Sequence, residues 1–383
     1  MLAAGTVAAA SNAAFVLGLP VILPNLREEF GLSLGEIGFL LAASWIGTTL
    51  TLLPWGLAAD RFGERLALTV GLLGSAVFLA SVAGATSFGA LVVLLGLAGA
   101  SGAAVNSSSG RAVMSWFDAS ERGLALGVRQ TAIPVGGLVG ALALPLLVDA
   151  GGVEAAFLFL GALCALGALV GALVLRGRVV EDGIEPETVG RTLADRRLWR
   201  LSVGSGFYLY AQIAVLGFGV LFLVDEHGFS EQSAALVLAG GQALGAVFRI
   251  GGGRWSDRMR MRVVPLRRAG VALAAAMLVT ASLTGGPLGL LVPALVLAAG
   301  LSMAWNGLSF TAAAELAGAV RTGAAIGLQQ TVLGASGVVA PVAFAATVSS
   351  GSWALGFALA GVVTLVGWWI LGALSERRHT ATP

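Results

Sequence analysis

The 383-residue chain is 57% hydrophobic and 11% charged, with a formal net charge of +2 and a mean hydropathy of +0.92. A water-soluble chain of this length has to cover its surface with charge, so the composition excludes a soluble protein and requires lipid in place of most surface water. All 22 basic residues are arginine, which with the abundant Ala, Gly and Val reflects the coding of a GC-rich genome. The single cysteine, Cys164, excludes a disulfide framework or a cysteine-built metal site. His227 and His379 lie far apart, so no metal and no cofactor is expected.

A bilayer core of roughly 30 Å takes about 20 apolar residues per helix. Twelve stretches of that kind follow one another, at 2–24, 34–57, 65–84, 88–114, 122–148, 153–175, 201–224, 231–253, 268–285, 288–314, 322–348 and 352–374. The first has no basic leader and is long enough to span, so it reads as a retained helix and not a signal peptide. The longest charged interruption, Arg176 to Arg200, divides the chain six plus six. The expected fold is therefore an all-α membrane protein of twelve transmembrane helices in two pseudo-symmetric halves, residues 1–175 and 201–374, with a linker at 176–200 and a tail at 375–383. With the N-terminus inside, 18 arginines fall in inner loops and tail against Arg27 alone outside, which predicts that both termini are cytoplasmic. The expected location is the inner membrane of the cell, as a multi-pass monomer with no nucleic-acid partner.

The halves repeat. At an offset of 200, Asn106 falls on Asn306 and Ser109 on Ser309, and GLALGVRQT (123–131) falls on GAAIGLQQT (323–331). Asn12 falls on Gln212. Duplicated halves are the expected build of a transporter whose substrate site lies near the midplane where the repeats meet.

After the second span the chain reads GLAADRFGER, with Gly56, Asp60, Arg61, Gly63 and Arg65; after the eighth it reads GRWSDRMR, with Gly253, Asp257 and Arg258, at an offset of 197. Through these two loops and all twelve spans the chain resembles the major facilitator superfamily. The resemblance implies that each Asp closes the inner side by accepting hydrogen bonds from amides at the N-terminus of a helix in the opposite half. Gly56 is expected to permit close helix contact and Gly63 a tight turn. The plain alternative is a basic loop serving topology alone. Glu64 stands where the family has a basic residue, and Met259-Arg260 where the first copy has Phe62-Gly63, which predicts a weaker second latch. Leu91 to Ala100 carries no charge, against the proton-driven drug antiporter branch. In WFDASERGLALG (116–127), Glu121, Arg122 and Gly123 resemble the family's inner gate, or form a turn capped by Asp118 or Ser120.

Polar groups within hydrocarbon are site candidates by default. Arg111 and Arg249, each about a turn from Trp116 and Gly253, can snorkel and read as structural or gating. Arg129 lies deeper, beside Gln130 and ahead of Pro134, which should bend the helix and leave the carbonyl of Gln130 without its usual donor. A planar guanidinium there suits a carboxylate or similar oxyanion, with gate duty the alternative. Glu315 is the nearest acid, at an inner helix end. In this fold, the resemblance places the first, fourth, seventh and tenth helices around the central cavity. Asn12, Asn106, Asn306, Gln212, Tyr208, Tyr210 and Trp305 would then line a polar, aromatic pocket, joined by Gln330 and Trp45; the alternative is interhelical hydrogen bonding.

No Gly-rich lysine loop, HExxH or Ser-His arrangement is present, so neither ATP-driven pumping nor enzymatic chemistry is expected. Gln329-Gln330-Thr331 followed by Pro341 resembles the nitrate and cyanate permease side of the superfamily. The expected function is alternating-access transport of a small organic or inorganic anion; the alternative is export of hydrophobic or cationic compounds. No midplane carboxylate indicates proton symport.

Overall fold

The computed structural model describes residues 2–116, 130–175, 186–318 and 321–374, without the side chains of residues 2, 60, 107–116 and 186–189. The described chain is helical almost throughout. Helix α1 (Leu2–Gly18) continues through a 3-10 turn (Leu19–Ile22) into α2 (Leu23–Phe30). There follow α3 (Leu34–Phe62), α4 (Glu64–Val82), α5 (Phe88–Trp116) and α6 (Ala132–Val174). Then come α7 (Pro186–Ala194), α8 (Arg196–His227), α9 (Glu231–Met259) and α10 (Val263–Ser282). Helices α11 (Leu288–Ser302), α12 (Trp305–Ala317), α13 (Thr322–Ser350) and α14 (Trp353–Gly372) complete the chain.

Among the described residues, 11 helical stretches are long and apolar enough to cross a bilayer. One of them, α6, has 43 residues and two non-helical glycines near its middle, Gly151 (φ −156°) and Gly152 (φ 72°). At 1.5 Å per residue it is about 65 Å long, enough for two crossings that reverse at those glycines. The twelve spans are therefore present.

Local chemistry sets the turns. Ser33 and Glu36 form a reciprocal capping box at the start of α3, with Ser33 N–H donating to Glu36 Oε2 at 2.8 Å. Gly63 ends α3 at φ 85°, the tight turn expected there. Arg260, its counterpart at the second loop, adopts the same left-handed region at φ 52°. A side chain in that region costs about 1 kcal/mol. The helix is interrupted at Thr131, between helical Gln130 and Ala132 and three residues ahead of Pro134, where a proline that cannot donate to the Gln130 carbonyl would disturb it.

The helices group into two compact units. The first comprises residues 1–183 together with 217–239, and the second 184–216 together with 240–383.

In the first unit α3 and α5 pack backbone to backbone. A Cβ on Gly47 would fall 1.9 Å from the Gly96 carbonyl oxygen, and one on Gly99 would fall 2.2 Å from the Ser44 oxygen. Thr48 donates to the Gly99 carbonyl at 3.0 Å, Thr51 to that of Ala100 at 2.7 Å, and Trp55 Nε1 to Ala100 as well, at 2.8 Å. The small residues at 99–104 thus serve helix packing, as expected. At Gly56, by contrast, an added Cβ would meet no heavy atom within 4 Å, nor would one at Gly253. The close contact expected of Gly56 is not made among the described residues. Elsewhere in this unit Arg27 pairs with Asp225, and Gln232 donates to Asp149. These contacts tie segment 217–239 to α2 and α6.

In the second unit α10 packs on α14 and α11, and α12 on α13. Leu198, Ala317, Ala325 and Leu328 form a buried apolar cluster. Beside it Asp195 accepts from Arg197 at 3.0 Å and faces Arg321 at 3.6 Å. The Arg197 guanidinium holds the Asp195 carboxyl below the usual carboxylate range.

Candidate functional site

The second unit gathers polar side chains from three helices at one depth. Arg249 of α9 is buried, 7% exposed. Its Nη2 donates to Asn306 Oδ1 of α12 at 3.0 Å, and Asn306 Nδ2 donates in turn to Gln212 Oε1 of α8 at 3.5 Å. Arg249 Nε donates to the Met303 carbonyl at 3.3 Å.

Arg249 does not snorkel to the surface as its place in the sequence suggests, because its side chain is buried. Helix α9 does not stop at Gly253 but runs through Arg254, Asp257 and Arg258 to Met259. Arg249 is thus ten residues from the helix end, about 15 Å along the axis, and between one and two turns deeper than the charged segment that begins at Arg254. A cation at that depth costs about 3 kcal/mol even by insertion scales. The break between α11 and α12 helps to offset this. Met303 caps α11 and Ala304 opens α12, so the Met303 carbonyl belongs to neither helical ladder and faces the guanidinium at the negative end of α11.

Two expected site residues, Asn306 and Gln212, are therefore brought together, with Asn306 between Gln212 and Arg249, a cation that the sequence reading left outside the pocket. Tyr208 and Trp305 meet edge to face with ring centroids 6.2 Å apart. Both are fully buried, and Tyr208 packs its ring on Gly270. As buried side chains they do not form an open lining in this unit. Tyr210 is half-buried beside Thr347, and Gln330 is half-buried on α13.

A second polar chain was missed because serine carries little weight in a hydropathy reading. Ser205 and Ser309 share a hydrogen bond of 2.5 Å, and Gln329 Nε2 donates to Ser309 Oγ at 2.6 Å. All three are buried. Gln329 is the repeat mate of Arg129, and the offset that pairs Ser109 with Ser309 is the signal that could have found this network.

In the first unit Asn12 of α1 lies over Gly102 of α5, its Oδ1 2.2 Å from where a glycine Cβ would stand and without a hydrogen-bond partner. Asn106 is exposed and Trp45 half-buried. No hydrogen bond joins these three among the described residues. Gln130 opens the described part of its segment and is half-buried. Arg129, Glu121, Arg122 and Gly123 lie outside the described residues, as do the side chains of Asp60 and Arg111.

At the loop ends, Arg61 lies over the Phe62 ring at 5.4 Å, and Arg61, Arg65 and Arg258 are exposed. Asp257 pairs with Arg262 of its own loop, which also donates to Glu315 at 2.8 Å and to Ser256 at 2.9 Å. Glu315, the acid considered as a neutraliser of Arg129, is thus engaged at the loop.

Comparison with known proteins agrees with this architecture. The family model described as Major Facilitator Superfamily matches residues 2–341. An uncharacterized MFS-type transporter of Mycobacterium tuberculosis is 31% identical over 370 residues, covering 93% of this chain and 80% of that protein. A probable sulfoacetate transporter of Cupriavidus necator is 27% identical over 381 residues, covering 92% and 87%. Among solved structures, a bacterial homolog of the human lysosomal transporter Spinster, inward-facing and unoccupied, superposes with a TM-score of 0.77 at 18% identity, over 97% of this chain and 94% of that one.

Proposed function

The chain belongs to the major facilitator superfamily, and from that premise we propose that it carries a small organic or inorganic anion by alternating access of two six-helix halves, residues 1–175 and 201–374. It is a multi-pass membrane transporter and not an enzyme. The observation that carries the anion reading is Arg249, a guanidinium buried within a membrane-spanning helix that donates to Asn306 Oδ1 and to the Met303 carbonyl. A fixed cation at that depth attracts carboxylates and sulfonates and repels cationic cargo, which disfavours the drug-export alternative. The sulfoacetate specificity ascribed to a relative supports the same class.

In this reading Arg249 is the anion's partner, Asn306 and Gln212 hold it in position, and Tyr208, Tyr210, Trp305 and Gln330 are retained from the sequence as pocket candidates. Arg129 and Gln130 are retained from the sequence as the first half's contribution, with Asn12, Asn106 and Trp45. The loop residues Gly56, Asp60, Arg61, Gly63, Arg65, Glu121, Arg122, Gly253, Asp257 and Arg258 serve gating. The arginine bias places both termini in the cytoplasm.

The test is uptake of labelled small carboxylates and sulfonates into proteoliposomes. Arg249→Gln is expected to reduce uptake at least tenfold, roughly the effect of one lost charge-assisted hydrogen bond, while the protein stays monodisperse. Unchanged affinity in that variant would overturn the anion reading.

A further inference from the structure

A second cationic feature lies away from Arg249, at the end of the second unit where α8 and α10 begin and α14 finishes. A cleft of about 470 Å³ opens there between Arg200, Arg267, Trp368, Trp369, Ile370 and Gly372. Arg200 and Arg267 each stand on the fifth residue of their helices, and no acid shares the lining.

Arg267 is set in place by its surroundings. Its guanidinium stacks on the Trp368 ring, 4.8 Å from the centroid, and Nη2 lies 3.1 Å from where a Cβ on Gly372 would stand. Its Nε is buried and has no hydrogen-bond partner. A buried donor on a charged group is costly to leave empty, and here it borders an open cleft.

The outward side of the cleft is apolar. Trp369 is 72% exposed, and Val362, Leu365 and Val366 are exposed with it. The spacing of 362, 365, 366 and 369 puts all four on one face of α14, running from the cleft toward the middle of the span. Tryptophan at a helix end beside arginine is the pattern of a membrane interface.

We propose that this cleft binds the phosphate of an anionic phospholipid, with Arg267 and Arg200 on the headgroup and an acyl chain along the α14 stripe. A phosphate diester supplies the acceptor that Arg267 Nε lacks. The apolar stripe explains why the ligand is a lipid and not a soluble phosphate ester, which would leave Trp369 and its neighbours uncovered. This site is independent of the transport reading: its occupant does not cross the membrane.

The experiment is native mass spectrometry of the purified protein, titrated with phosphatidylglycerol, phosphatidylethanolamine and phosphatidylcholine of identical acyl chains, and separately with glycerol 1-phosphate. Phosphatidylglycerol is expected to be retained in preference to the two lipids without net charge, and glycerol 1-phosphate not at all. Each arginine near a membrane surface is worth roughly a fivefold change in binding. Arg200→Gln should therefore lose roughly fivefold, and Arg200→Gln with Arg267→Gln roughly 25-fold. Arg267→Lys, which keeps the charge and loses the planar stack, should fall between wild type and Arg267→Gln. Arg200 is exposed, so its single variant carries the test even if changes at Arg267 disturb folding. Equal retention of all three lipids, glycerol 1-phosphate bound as well as the lipid, or full retention by Arg200→Gln would each overturn the proposal.

Discussion

In the first unit α3 and α5 meet backbone to backbone, whereas their repeat counterparts, α9 with α11 and α12, meet through side chains. Gly99 admits the Ser44 carbonyl on one side of the duplication. At the matching contact Gly241 faces the Ala299 methyl, and Gly245 faces the flexible Met303. The wider second seam leaves room for Arg249 where offset 197 puts Leu52 in the first, and the helix break at Met303 gives that arginine its carbonyl. Duplication thus supplied two asparagines at equivalent places. Among the described residues Asn306 meets an arginine and is held by it, whereas Asn106 is exposed. A small residue exchanged for a larger one along a helix seam can decide which copy of a repeat acquires chemistry.

The largest expected effect comes from closing that difference by force. Gly47→Ala puts a methyl into backbone atoms that cannot move aside, and should cost about 3 kcal/mol or prevent folding. Gly245→Ala should cost less than about 1 kcal/mol, because the Met303 thioether can turn away. Equal losses of melting temperature in the two variants would break the contrast between the seams. Ser309→Ala removes the hydroxyl between Ser205 and Gln329 and leaves a buried amide donor unpaired, an expected loss of about 1 to 2 kcal/mol in thermal unfolding. Asn306→Leu leaves the buried Arg249 Nη2 without this acceptor, so it should cost about 1 to 3 kcal/mol in thermal unfolding and also raise the KM for anion uptake roughly fivefold. A stability loss with an unchanged KM would make Asn306 a packing residue. The smallest effect is at the loops: Arg260→Gly relieves the left-handed strain and should raise stability by less than about 1 kcal/mol, with Gly63→Ala moving the other way.

The number and order of the spans are legible in hydropathy alone, because a bilayer tolerates few departures from about 20 apolar residues. Depth within a span is less so. The distance from Arg249 to Gly253 suggests a side chain that reaches the surface, yet Arg249 is buried, because Asn306 and the Met303 carbonyl offer it acceptors inside the bundle. The break at Met303 has no proline or glycine pair to announce it, so the carbonyl that faces Arg249 could not be read from composition. Asn306 and Gln212 were found because they are bulky amides in apolar surroundings. Ser205 and Ser309 were not, since a serine costs little to bury once it bonds a neighbour. At the loops, the repeated Asp-Arg motif was legible, but its partner was not: the short path from Asp257 to Arg262 depends on the turn at Arg260, whose left-handed backbone belongs to a residue type that seldom adopts it.

The Met303 carbonyl has one further use. Because it stands between two helical ladders and accepts from a guanidinium, its stretching frequency is set by Arg249 and not by the repeating helix. A carbon-13 label at that single carbonyl therefore separates it from the other amides of the bundle in an infrared difference spectrum. When an anion draws the guanidinium away, the labelled band should move to higher frequency, so that cargo arrival is read as a colour change in the backbone itself, in lipid and without a reporter dye.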